Sequence, residues 1–151
     1  MTVVVLTHVV ATWFLVGLVW TVQVVHYPLF AGVGSAGFAA YAARHSTRIT
    51  AVLAVPWALE GITTAWLLVD RPPGVPVWLP WLGAVAAAAP VVLTVAAAVP
   101  AHRQLGRGFD AEVHRRLMRC NAWRTAAWTA HGVVAAAIVL TATTSPSVTP
   151  G

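Results

Sequence analysis

The sequence predicts an all-α integral membrane protein, a single bundle of four transmembrane helices, and three observations carry that prediction. The first is composition: 59% of the 151 residues are apolar and only 9% charged, where a soluble domain carries about a quarter charged residues. The mean hydropathy of +0.78 agrees. The second is that four apolar segments are each long enough to cross a hydrocarbon core of about 30 Å, which takes roughly 20 residues. The third is the arginine distribution. The nine basic residues are all arginine, and they cluster around the first and third connections, as topogenic charges do. The net charge of +5 is therefore read as membrane topology rather than as a nucleic-acid footprint.

The first span is expected over residues 3–25. It has no preceding Arg or Lys and no small-residue cleavage site, so it reads as a retained helix rather than a signal peptide. It closes at Gln23-Val24-Val25-His26-Tyr27-Pro28, where the proline disfavours helix for Tyr27. From Ala31 to Ser46 the chain is Gly-rich and then amphipathic, with Phe38, Tyr41 and Ala42 at helical spacing and Arg44, His45 and Arg48 at its end. A short interfacial helix is expected there.

The second span is expected over 48–69, ended by Asp70-Arg71-Pro72-Pro73-Gly74. The third is expected over 76–100. Its Gly83-Ala84 pair and the alanines from Ala86 to Ala89 allow close helix approach. A second short interfacial helix is expected in the third connection, with Asp110 as its N-cap and Val113, Leu117 and Met118 on one face. The fourth span is expected over 121–143. The domain is thus 1–144, and 145–151 reads as a disordered tail.

Arg44 and Arg48 lie in the first connection. Arg103, Arg107, Arg115, Arg116, Arg119 and Arg124 lie in or beside the third, against Arg71 alone in the second. A multi-pass protein of the cell membrane with the first and third connections cytoplasmic and both termini outside is the expected topology. The single Cys120 excludes an internal disulfide and any CxxC site.

Ionisable residues within spans are costly and mark candidate sites. Glu60 lies 12 residues beyond Arg48, about 18 Å along its helix and near the midplane. Thr63 and Thr64 give it a polar face, and Pro56 leaves a backbone carbonyl free nearby. Glu60 can serve proton transfer, or it can be a protonated acid bonded to that carbonyl or to a neighbouring helix. On the fourth span Asn121, Arg124, Trp128 and His131 form one stripe, with His131 at a depth similar to that of Glu60. On the first, His8, Thr12, Val19, Gln23 and His26 share a stripe.

His26, His45 and His102 each sit beside a helix end at one membrane face. Imidazoles so placed can act as bases or bind a metal ion or haem, although no HExxH and no His pair at i, i+4 occurs. The candidate catalytic set is Glu60, His26, His45, His102, Asn121 and Arg124. Gln23, Trp20, Trp57, Trp128 and His131 are the candidate substrate-binding residues, while Trp78, Trp81 and Trp123 read as interfacial belt.

The segment Val99-Pro100-Ala101-His102-Arg103-Gln104-Leu105, followed by Asn121-Ala122-Trp123-Arg124-Thr125, resembles the anthrone-oxygenase-like family of small four-helix membrane proteins. The likeness covers roughly the last third of the chain. That family commonly has Asn where this chain has His102, and His26-Tyr27-Pro28-Leu29-Phe30 has no matched counterpart. The resemblance implies oxygenation of a phenolic polycyclic substrate without a known cofactor. A weaker likeness, to the small membrane haem-dependent protoporphyrinogen oxidases, lacks their arginine-rich motif after the first helix.

The expected function is a membrane oxidoreductase acting on a hydrophobic, phenolic or polycyclic small molecule that enters from the bilayer. Glu60 and a histidine would exchange its proton, and Arg124 and Asn121 would stabilise the developing oxyanion. The alternatives are a haem- or metal-binding redox protein, a proton-coupled transporter, and a structural subunit. A homo-oligomer is compatible with any of them.

Overall fold

The computed structural model describes residues 2–144; the tail expected over 145–151 lies outside them. The described residues form four long helices, α1 (Thr2–Gly32), α2 (Ser35–Val69), α3 (Trp78–Leu105) and α4 (Ala111–Thr144), all long and apolar enough to cross a membrane. No strand occurs among them.

The helices overrun the expected spans, for two physical reasons. In α1 and α3 a proline stands where a stop was expected, but each is preceded by a wider, π-helical turn, Val22–His26 and Thr94–Ala98. A proline clashes with the carbonyl four residues before it and leaves that carbonyl unpaired. For Pro28 and Pro100 those carbonyls belong to Val24 and Ala96, both inside a π turn. The wider turn carries the chain past the ring, and the Tyr27 and Val99 amides bond to Val22 and Thr94.

In α2 and α4 nothing between the amphipathic segment and the span breaks the helix. The two short interfacial helices expected as separate elements are instead the first turns of α2 and α4, joined to them without interruption. Arg44 and Arg48 are good helix formers, and so charge at a membrane edge does not mark a helix end.

Asp110 caps α4 as expected, its Oδ1 accepting from the Glu112 and Val113 amides at 2.8 and 2.9 Å. Those bonds, the one from Val113 first, hold its carboxyl below the ordinary aspartate range. A depressed folded value means stability that is present above the unfolded value and lost as pH falls through the folded one. Asp110→Ala is therefore expected to fray the first turn of α4 at neutral pH, read by amide hydrogen exchange. The difference from wild type should shrink as the carboxyl protonates.

The helices adjoin in the order α2, α1, α4, α3. Of the neighbouring pairs around this ring, α2 and α3 meet least. The core runs in three layers. One end, holding the first and third connections, packs Tyr27, Phe30, Phe38, Leu105 and Leu117. Leu15, Val16, Val19 and Trp128 fill the middle. Val5, Leu67, Leu79, Val134 and Ile138 close the other end. Outward positions such as Val10, Ile62, Val85 and Val95 are apolar and exposed, as lipid contact requires. Gly83 lets α3 approach α4: a Cβ there would lie 3.3 Å from a Val134 methyl and 3.7 Å from the His131 ring.

Candidate functional site

The polar side chains fall into two buried groups on either side of Trp128. The first lies at the end of the first and third connections. The π turn in α1 and the residue that follows it present Gln23, His26 and Tyr27 to the other three helices. His26 Nε2 and His45 Nδ1 share a hydrogen bond of 2.7 Å. The Tyr27 hydroxyl meets His102 Nε2 at 2.9 Å. His114 Nε2 donates to the Tyr27 carbonyl at 2.8 Å, which fixes its proton on that nitrogen. Asn121 donates to Gln23 at 2.9 Å and accepts from Arg124 at 3.2 Å. Its amide thus points its two ends at fixed partners.

Arg124 is the unusual member. It is only 6% exposed, its Nε has no partner, and among the described residues it makes no ion pair. Its guanidinium instead lies 5.2 Å from the centre of the Trp128 ring, on the same cavity wall as Tyr27 and His102. Burying a cation costs about several kcal/mol, whereas a cation–π contact returns roughly 2 kcal/mol at most. A neutral amide acceptor adds about as much again. The guanidinium is left short of an anion.

The space beside it is a cavity of about 460 Å³. Tyr27, His102, Asn121 and Arg124 supply its polar wall, and Leu53 and Trp57 part of its apolar wall. Thr50, Ala54, Val99 and Arg103 border it and are exposed. The mouth therefore opens outward between α2 and α3, the neighbouring pair in least contact.

The second group is fully enclosed. Glu60 is 2% exposed and His131 0%. The Trp128 Nε1 hydrogen is shared between the two Glu60 oxygens at 3.0 and 3.2 Å, and His131 Nε2 stands 3.6 Å from Glu60 Oε1. The His8 ring lies edge-on to His131 at 5.1 Å and bonds Thr63 at 3.1 Å. Thr63 and Thr64 donate to backbone carbonyls of their own helix, Glu60 among them. Thr12 Oγ1 has no hydrogen-bond partner among the described residues, and the His131 ring faces the Gly83 backbone.

Of the residues expected to act, His102, Asn121 and Arg124 line the cavity together with Trp57. Gln23 lies one hydrogen bond behind Asn121. His26 and His45 border a separate groove between α1 and α2, beside Arg44 and Arg48. Glu60, Trp128 and His131 are not on the cavity wall; Trp57, which is, lies edge-on to Trp128 at 5.5 Å. The partner of Glu60 is the indole of α4, not the carbonyl freed by Pro56. Trp20 faces outward and donates to Thr129 at 3.1 Å, and Trp66 is also exposed.

The expected metal or haem role for His26, His45 and His102 finds no suitable donor geometry. Two imidazole nitrogens on one ion would each sit about 2.0 Å from it, and a 2.7 Å separation between them is that of a hydrogen bond. His102 Nε2 is taken by Tyr27. Among the described residues no group of three or more His, Cys, Asp or Glu side chains is arranged to hold a metal ion.

Apart from the threonines of the second group, three residues were not among the sequence candidates: Tyr27, His114 and His8. Tyr27 reads in sequence as the residue before a proline, and His8 as a lone histidine toward the far end. A depth count along each helix would have brought His8 beside His131 and Glu60. No signal marks the hydroxyl of Tyr27. No family model, no curated protein and no solved structure matches the chain.

Proposed function

We propose that the chain is an integral membrane enzyme, a four-helix bundle that admits a hydrophobic phenolic molecule from the bilayer and removes its proton as the opening step of an oxidation. The observation that carries the reading is the buried guanidinium of Arg124, without an anionic partner among the described residues, on the wall of a largely apolar cavity. An aromatic ligand bearing one oxyanion supplies what is missing: the rings fill the apolar part and the oxygen meets Arg124 and Asn121. Tyr27 and His102, already sharing a hydrogen bond, receive the proton.

The oxidation follows from the resemblance to anthrone oxygenases rather than from the side chains. In that reaction a methylene between two aromatic rings becomes a carbonyl. One atom of dioxygen enters the product and the other leaves as water with the two hydrogens, so no further cofactor is needed. The test is binding of 2-naphthoate against its neutral isostere 2-acetonaphthone, followed by isothermal titration of the purified chain. The anion should bind more tightly; equal affinity would remove the oxyanion from the reading.

A proton-coupled transporter is the second reading, favoured by the buried Glu60 and His131 at mid-helix. Both readings place the first and third connections in the cytoplasm and the termini outside. Cysteines introduced at Ser35 and Gly108 are expected to label from the cytoplasmic side and one at Gly74 from the outside. Cys120 is buried and gives little background. The opposite pattern would invert the protein in the membrane.

A further inference from the structure

Trp128 joins the two buried groups through different parts of one ring. Arg124 lies over its π face, 5.2 Å from the centroid, and Glu60 accepts from its N–H edge at 3.0 and 3.2 Å. A cation on the face withdraws electron density from the indole and makes its N–H a better donor to a carboxylate. With the cavity empty, the ionised form of Glu60 is the one that Arg124 supports.

An anion on Arg124 cancels that support. Glu60 is then a buried carboxylate with no net positive charge near it, and the state of lowest cost is the protonated one. The groups facing Glu60 are few. α1 brings His8, and α4 brings His131 and Trp128, with Arg124 over the face of that indole. α3 faces His131 with Gly83, which has no side chain, and α2 itself adds Thr63 and Thr64. His131 Nε2 stands 3.6 Å from Glu60 Oε1, beyond hydrogen-bond distance, so a proton taken up by the pair sits on the Glu60 carboxyl.

We propose that binding of an anionic ligand at Arg124 draws a proton onto the pair formed by Glu60 and His131, so that anion and proton are taken up together. This rests on the reading of Arg124 as the anion site. By linkage, a rise in pH that strips the pair of its proton must weaken anion binding by the same coupling.

The experiment is isothermal titration of the purified full chain with 2-naphthoate, in two buffers of different ionisation enthalpy. The wild type is expected to take up about one proton for each anion bound. Glu60→Gln should bind the probe within a few-fold of wild type with proton uptake near zero, and Trp128→Phe should lower the uptake. Infrared difference spectra of the wild type, recorded with 2-naphthoate labelled with 13C in its carboxyl, should show a new protonated-carboxyl band from the protein and need no variant to fold. Tight binding without proton uptake would overturn the coupling and leave the anion site standing. Uptake that persists in Glu60→Gln would overturn the coupling too, by assigning the proton to Tyr27 or His102. Absence of probe binding would overturn the anion site beneath it.

Discussion

Tyr27→Phe is expected to lower turnover of a phenolic substrate by roughly 10²- to 10⁴-fold, the range associated with losing a positioned acid or base. Affinity for 2-naphthoate should stay within a few-fold, because the anion contacts of Arg124 and Asn121 remain. The ring itself is held by packing that Phe keeps: Phe30 at 5.3 Å and His45 at 5.9 Å between centroids. What disappears is the hydroxyl between His102 and the cavity. His102 would then have both ring nitrogens unpartnered, since Nδ1 already is, at a cost of about 1–3 kcal/mol. A modest drop in thermal stability is thus expected alongside the kinetic loss. The two effects separate in His102→Gln, which can still meet the Tyr27 hydroxyl but titrates no proton. A variant with normal stability and turnover as low as Tyr27→Phe places the proton on the imidazole. Full turnover in Tyr27→Phe would exclude the hydroxyl from the chemistry.

The four spans were legible because lipid imposes a long apolar run that no soluble helix needs. Their ends were less so. Pro28 and Pro100 carry the ordinary meaning of a helix stop, and the π turns that accommodate them leave no mark in the sequence, since Val22–His26 and Thr94–Ala98 contain nothing but ordinary helix residues and histidine. On α4 the period of 3.6 was enough: Asn121, Arg124, Trp128 and His131 all came out buried. The same period explains Trp20. The buried face of α1 carries His8, Thr12, Leu15, Val16, Val19 and Val22, and Trp20, one residue past Val19, is turned about 100° away from it. Tyr27 was hidden for another reason. Its hydroxyl partner is 75 residues distant, and only the packing of α1 against α3 and α4 gives it a role.

Arg124→Gln is expected to weaken 2-naphthoate binding by roughly 100-fold, the loss of one buried charge-assisted contact at about 3 kcal/mol. Affinity for 2-acetonaphthone should change little, because the apolar wall with Leu53 and Trp57 is untouched. Stability separates a binding role from a structural one. Breaking a buried ion pair costs about 3–5 kcal/mol because the partner charge is left alone. Arg124 has no such partner among the described residues. Its removal also relieves the desolvation of a guanidinium, and Gln can still donate to Asn121, so the thermal midpoint of the variant should hold or rise. Arg124→Lys should recover only part of the affinity. A lysine offers a point charge without the planar fork that meets an oxyanion and stacks on Trp128, so the residue would lose its place over the indole face even where it keeps its charge. A large loss of stability in Arg124→Gln, with both ligands bound equally well, would make the guanidinium a packing element and take away the anion on which the proposed chemistry depends.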